Sequence, residues 1–394
     1  MPRVLLVLPT TTYRAGDFLR AAAALGASVV VASEDEAPLL AERAVRVDLD
    51  DAEAAARAMV DRDDALPVDA VVAVDDRGIV PAARAAAMLG LPHNPPDAVA
   101  ATRDKSRMRT LLARAEVSQP DFELLLGDDL PTLPYPVVLK PVDRSGSTGV
   151  IRVDAPNDAR GTIARIRRIV GDDRAVVLAE RFVPGVEVSV EGLLRLGALE
   201  VLAVFDKPDP LDGPYFEETI YVTPSGHASP ELTRTVAEAC AAIGLSDGPV
   251  HAEARITPDG RVVVIEVAAR SIGGLCSRAL TFGAGVSLEE VILRHALGLP
   301  LAEIERETAA SGVMMLPIPR SGVLREVRGR EEALRVDGML GIEITIPPDR
   351  EVRALPEGDR YLGFAFARGE TPEEVVASLR EASARLDVRI DDVA

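Results

Sequence analysis

Short, unbroken apolar runs alternate with longer amphipathic stretches through the first ninety residues of the chain. Residues 3–9 read as a buried parallel strand, because a strand covered on both faces is continuously apolar rather than alternating. A helix is expected at about 15–25, stopping at Gly26, then strands at 28–32 and 45–47. Asp50 is placed to cap a helix over 51–61, residues 68–74 form another apolar strand, and a helix over 78–89 ends at Gly90. This β-α-β-α alternation predicts a small doubly wound, Rossmann-like domain. Ligands favour the carboxyl ends of such strands, where Thr10, Thr11, Thr12, Asp75 and Asp76 fall, and each of these also reads as an ordinary cap or turn residue. The rigid run Leu91-Pro92-His93-Asn94-Pro95-Pro96 marks a domain boundary.

Beyond that boundary a helix is expected over 97–115, with Lys105 as a solvated charge on it. An apolar strand at 136–140 ends in Lys140, which is hard to explain structurally because it follows four apolar residues and precedes a proline. The loop Ser145-Gly146-Ser147-Thr148-Gly149 comes next, before a strand at 150–153. It offers backbone N–H groups and hydroxyls in a flexible turn, the chemistry that cradles a phosphate, although it is neither a Walker A loop nor a GxGxxG fingerprint. Residues 175–191 hold an apolar strand, a Pro184-Gly185 turn and an alternating strand with Glu187, Ser189 and Glu191 on one face. For Glu191 a solvated strand face is the expected environment. Residues 200–224, with three prolines within 205–219, read as a long loop, and long loops in compact domains are often functional. The remaining predicted elements are a helix over 230–243, a hairpin, a helix over 287–297, and strands near 312–318, 323–328, 341–346 and 361–367. A last helix over 371–386 is introduced by Thr371-Pro372-Glu373-Glu374.

The hairpin carries the most chemistry. Two apolar-rich runs, 250–256 and 261–269, flank Thr257-Pro258-Asp259-Gly260, which suits a four-residue loop on a type I turn. That loop pairs Ile256 with Arg261, Glu253 with Val264 and His251 with Glu266, so Glu253 and Glu266 share a face diagonally; an odd loop would separate them. Val263, Ile265, Val267 and Ala269 are then the core face. Two inward carboxylates on one face suit Mg²⁺, which takes oxygen ligands and shares them with nucleotide phosphates. A surface salt bridge from Glu253 to Arg255 or Arg270 accounts for the same residues equally well.

Composition narrows the classes. The 394 residues allow two or three domains, and 47% apolar content supplies a core. No apolar run approaches the ~20 residues of a membrane-spanning helix, and the N-terminus reads as a first strand rather than a signal peptide. Cys240 and Cys276 provide neither a disulfide framework nor metal-ligand spacing, so a reducing cytoplasm is the expected compartment. A net charge of −19 with no basic stripe argues against nucleic acid.

Taken in order, Lys105, Lys140 with its Ser/Gly loop, Glu180-Arg181-Phe182-Val183 with Glu187, then Glu253 and Glu266-x-x-x-Arg270 resemble the ATP-grasp superfamily over roughly 96–300. The flanks, 1–95 and 301–394, resemble those of biotin-carboxylase-like carboxylate–amine ligases, in particular the L-amino acid ligases. The resemblance implies a pre-ATP-grasp α/β domain (1–95), an ATP-grasp domain (96–300, lid at about 115–187) and a C-terminal α+β region (301–394) completing the ligase core. It implies ATP and Mg²⁺, with Mn²⁺ able to substitute. Lys105 and Lys140 would reach the phosphates, and Ser145 to Gly149 would close over them. Glu180 would meet the adenine amino group, backbone of Arg181, Phe182 and Val183 the ring edge, and Glu187 the ribose. Glu253 and Glu266 would hold the metal. Arg270 and Lys207 would be catalytic, facing the phosphoryl group or substrate carboxylate. Ser271, Gly273 and Gly274 would approach the substrate, with Glu217 and Glu218 walling an amine pocket. Where the superfamily has Glu-x-Asn-x-Arg, this chain has Ala268, which cannot ligate. The implied reaction is amide formation through an acylphosphate, with small-molecule substrates and a homodimer. A bicarbonate-using carboxylase and a non-catalytic nucleotide-binding protein are the alternatives.

Overall fold

The computed structural model describes residues 1–35, 44–63, 66–301 and 305–392. Its N-terminal sheet is parallel, in the order Ala44–Arg46, Ser28–Ser33, Arg3–Val7, Ala70–Ala73. Val4 and Leu6 pack on one side with Phe18, and Leu5 and Val7 on the other with Met59 and Ala82. Burial on both faces is why these strands are continuously apolar. The linker is pinned by Asn94, whose side-chain oxygen accepts from the Ser246 and Asp247 N–H groups at 2.7 and 2.9 Å.

The helix expected over 97–115 is two helices, Pro96–Thr102 and Lys105–Arg114. The break is local chemistry: the Asp104 carboxylate accepts from Ser106 and Arg107 N–H at 2.9 and 3.1 Å, starting a new helix. Lys105, expected to be solvated, is therefore the first residue of that helix and is buried. A four-stranded antiparallel sheet follows, in the order Phe122–Leu125, Val177–Arg181, Val137–Pro141, Ile151–Val153. Helix Pro156–Val170 covers it through Ala159, Ile163 and Ile166. That helix was not foreseen, although those three residues recur at helical spacing between Pro156 at its start and left-handed Gly171 at its end.

An eight-stranded antiparallel sheet forms the centre. Its order is Val262–Ala268, Gly248–Ile256, Val186–Arg195, Ala198–Asp206, Ile220–Thr223, Ala310–Leu316, Gly363–Gly369, Met339–Ile344. The stretch 200–224 is thus only partly loop. Two strands flank residues 207–219 because both ends are apolar and pair in the sheet interior. The last strands of this sheet come from the C-terminal region, whose helix Pro372–Ala384 starts in a capping box between Thr371 and Glu374. Strands Arg350–Val352 and Asp387–Asp391, also unforeseen, flank Gly322–Arg328 in a small separate sheet.

The hairpin differs from expectation in register. Thr257 N–H donates to Arg261 and Gly260 N–H to Thr257, so the loop is three residues, closed by Gly260 at φ +84°. Ile256 faces Val262 and Ala254 faces Val264, yet Glu253 faces Glu266. Ile265 is the extra residue of a β-bulge. The odd loop would have turned Glu266 to the core, and the bulge turns it back. Consequently Ile265 lines the cavity instead of packing in the core, while Val262, Val264 and Val267 are the residues buried beneath.

Candidate active site

A cavity of ≈ 380 Å³ lies where the parallel strands' carboxyl ends, the four-stranded antiparallel sheet and the central sheet meet. Most predicted residues line it: Lys105, Lys140, Ser145, Gly146, Ser147, Glu180, Arg181, Phe182, Val183, Glu187, Glu218, Glu253, Glu266, Arg270, Gly273 and Gly274. Six do not.

On the side of the four-stranded sheet, Glu180 is enclosed between two cations. Its carboxylate accepts from Arg109 Nε at 2.6 Å and pairs with Lys140 Nζ at 2.7 Å. Burial alone would raise this carboxyl, but Arg109 and then Lys140 hold it down to about 2. Burial pushes the Lys140 ammonium below the ordinary lysine value, since Glu180 is shared with Arg109 and Lys105 adds further repulsion. Arg109 was missed from the sequence. It also donates to Val264 O (3.3 Å) and Ile265 O (2.5 Å) on the edge strand of the central sheet. Its position four residues after Lys105, on the helix face shared with Met108 and Leu112, was the available signal. Arg181 and Phe182 spend their N–H groups on Asp121 and Pro136 carbonyls, whereas Val183 N–H has no partner among the described residues.

Deeper in the cavity, strands Val186–Arg195 and Gly248–Ile256 pair Glu187 with Arg255, Ser189 with Glu253 and Glu191 with His251. Period-two alternation on both strands puts all six on one face. Glu191 is therefore buried, not solvated: its carboxylate receives His251 Nδ1 and, at 2.9 Å, the Ile272 N–H. Burial opposes charge on His251, but Glu191 raises it to about 9. Lys207 does not line the cavity. Its ammonium lies under three carboxylates, Glu187 at 2.8 Å, Glu253 at 3.1 Å and Glu218 closer still. Burial would neutralise it, but those three anions hold it charged. Oxygens of Glu187, Glu218 and Glu253 lie within 4.8 Å of one another. Burial raises Glu218 to about 7, with Lys207 pulling the other way. Tyr221 donates to Glu218 at 2.7 Å. Glu217 does not share this cavity; it lines a separate crevice with Arg353 and Leu355, because adjacent residues of an extended chain point apart. Glu266, across the ladder from Glu253, is held by Lys105 at 3.2 Å.

Residues 270–272 are gripped one after another. Arg270 makes a bidentate pair with Asp76 at 2.8 and 3.0 Å. Ser271 lies behind the cavity wall, its hydroxyl accepting from buried Arg14 at 2.9 Å. Ile272 is held by Glu191. The Ser/Gly loop is docked shut: Thr148 Oγ donates to Gly358 O and Gly149 N–H to Pro356 O, both at 2.9 Å. Those bonds turn Thr148 and Gly149 away from the cavity and leave Ser145, Gly146 and Ser147 on it. Arg165 clamps Glu357 beside them.

Three family models match the chain: an ATP-grasp N-terminal domain over 19–93, an ATP-grasp domain over 133–279 and an L-amino acid ligase C-terminal domain over 314–391. The alanine–anticapsin ligase of Bacillus subtilis is 26% identical over 238 residues, covering 52% of this chain and 49% of that one. The dapdiamide A synthase of Enterobacter agglomerans is 27% identical over 229 residues, 54% and 53% of the two chains. The chain thus matches about half the length of these curated relatives. The crystal structure of an L-amino acid ligase from Bacillus licheniformis superposes with a TM-score of 0.83 at 26% identity, covering 100% of this chain and 99% of that one. The phosphoribosylglycinamide synthetase of Anaerococcus prevotii, at 16% identity and TM-score 0.71, shares the fold.

Proposed function

We propose that this chain, which belongs to the ATP-grasp superfamily, is an ATP-dependent carboxylate–amine ligase. The observation that carries the reading is one cavity in which lysines, a docked Ser/Gly loop and an inward carboxylate pair converge. Residues 1–95, 96–300 and 301–394 act as N-terminal, ATP-grasp and C-terminal parts of one site. A substrate carboxylate attacks the γ-phosphorus of ATP, giving an acylphosphate and ADP. An amine then attacks the acyl carbon and expels phosphate. The chain's work is positioning and charge neutralisation.

Val183 N–H meets the adenine edge beside Glu180, and Glu187 is the ribose partner. Lys105, Lys140 and the Ser145-Gly146-Ser147 backbone receive the phosphates. Arg270, fixed by Asp76, faces the substrate carboxylate. Glu218 faces the amine. Lys207 acts from beneath the cavity by holding three carboxylates in place.

The donor chemistry fits a divalent cation: Glu253 and Glu266 oppose each other, and each already holds an ammonium that stands in for one. Glu253 and Glu266 would be ligands to Mg²⁺, which when bound neutralises phosphate charge; Mn²⁺ has the same oxygen preference. Ala268, on the cavity wall, adds no ligand.

The test is a trapping assay with MgATP, hydroxylamine and pooled carboxylates. ADP together with a hydroxamate is expected, and Glu266→Ala should abolish both. Release of ADP without hydroxamate would move the assignment to bicarbonate chemistry. Unaltered turnover in Glu266→Ala would refute the metal assignment.

A further inference from the structure

Arg255 is buried, and its guanidinium serves three segments of chain at once. Nε donates to Glu187 at 2.9 Å, Nη1 to the Val183 carbonyl at 2.7 Å, and Nη2 to the Leu211 carbonyl. Val183 and Glu187 are the residues proposed to meet the adenine edge and the ribose. Leu211 lies in the middle of the loop 207–219. Arg152 repeats the attachment one residue on: its Nη1 donates to the Asp212 carbonyl at 2.8 Å, and its backbone N–H to the Pro214 carbonyl at 2.9 Å. Both guanidiniums rest on Phe182, at 4.3 Å for Arg152 and 5.0 Å for Arg255 from the ring centroid. Gly213 makes room for this, since a Cβ there would lie 2.8 Å from the Arg152 Cβ. The loop is therefore fastened by its own carbonyls to the segment 181–183.

The contacts continue to the ends of the loop. Each Glu187 oxygen takes one cation, Oε2 from Arg255 and Oε1 from Lys207 at 2.8 Å. Lys207, the first residue after strand Ala198–Asp206, also holds Glu218, two residues before strand Ile220–Thr223. Val183, Arg255, Glu187, Lys207 and Glu218 thus form an unbroken series, and Leu211 and Phe216 of the same loop line the cavity. A planar guanidinium aims its donors in fixed directions, whereas an ammonium is a point charge on a flexible stem. A lysine at position 255 would reach Glu187 but not both carbonyls.

We infer that Arg255 is a positioning residue, through which a nucleotide bound along Val183 and Glu187 fixes the loop 207–219 and, with it, Glu218. The inference rests on the ligase reading for the nucleotide's place and for Glu218 as the amine-facing carboxylate. A ligand on Val183 and Glu187 restrains two of the three partners of Arg255. The docked loop is the state in which the third, the Leu211 carbonyl, is also held, so the ligand favours that state over one in which the loop has come away.

Hydrogen exchange on the whole protein, with and without a non-hydrolysable ATP analogue and Mg²⁺, tests this without turnover. The analogue should slow exchange at 181–187 and also across 211–219, there by about fivefold. Arg255→Lys should keep the slowing at 181–187 and lose it across 211–219. A merely structural role would speed exchange in the loop alike with and without the analogue and leave its response intact. A loop that does not respond in the unaltered chain would overturn the inference, and that arm needs no variant to fold. An equal response in Arg255→Lys would overturn it as well. Slowing at both segments with no hydroxamate in the trapping assay would count against the ligase reading and leave the coupling standing.

Discussion

Two buried side chains show how much of this site is electrostatic balance. Arg109 is wholly buried and serves Glu180 and two carbonyls at once. Removing one partner of such a pair leaves an uncompensated charge, so Arg109→Ala should cost about 3–5 kcal/mol in urea unfolding. Adding Glu180→Gln should recover part of that, since the two are coupled. His251 gives a pH signature. Its folded pKa, raised to about 9 by Glu191 against the cost of burial, exceeds the unfolded value of ~6.5. Its stabilisation is complete below pH ~6.5 and is lost as pH rises toward 9, on the order of 2–3 kcal/mol in the metal-free protein. Chemical denaturation at pH 6.5 and 9 should show that loss, and His251→Gln should flatten it. Neither residue was legible beforehand. For Arg109 the helical spacing from Lys105 was the one signal, and a lone histidine in a strand carries none until pairing is known. Glu187, Glu191, His251 and Arg255 become readable once strands Val186–Arg195 and Gly248–Ile256 are set side by side.

Elements were legible where the chain itself writes their ends. The Thr371 cap and the left-handed Gly90 marked helices close to their observed limits. Most of the candidate ligand residues were also legible, because their residue types sit at strand ends or loops that apolar runs locate. What failed was the count within a hairpin, where a bulge adds a residue without any compositional mark, side-chain direction at Glu217, Thr148, Ser271 and Lys207, and backbone direction at Gly149. The docked Ser/Gly loop carries a prediction of its own. Its side-chain attachments are a buried hydrogen bond, worth about 1 kcal/mol, and a partly exposed ion pair beside it worth no more than that. Thr148→Val with Arg165→Ala should therefore loosen the loop without unfolding the protein. Hydrogen exchange over 145–149 should accelerate, and KM for ATP should rise several-fold while the melting temperature changes little.

At the scale of the molecule, no part of the site belongs to a single piece of chain. Asp76 from the N-terminal sheet fixes Arg270, and residues 356–358 hold the Ser/Gly loop from the C-terminal side. The central sheet itself takes Ala310–Leu316, Met339–Ile344 and Gly363–Gly369 from after residue 309. A chain ending at residue 309 would expose the edge of Ile220–Thr223 and lose the packing of Val313, Met315, Phe364 and Phe366. It should be recovered insoluble or without a cooperative unfolding transition, not as a weaker enzyme.

The bulge at Ile265 has a consequence for kinship among sequences. Twelve residues lie between Glu253 and Glu266, and an odd loop plus one unpaired residue brings the two carboxylates together. A cousin chain with one residue fewer in this stretch would reach the same opposition through an unbroken ladder. What inheritance must preserve is the side of the sheet, not the number of residues. A search that demands fixed spacing between the two acids, or even a fixed parity of that spacing, would overlook such cousins.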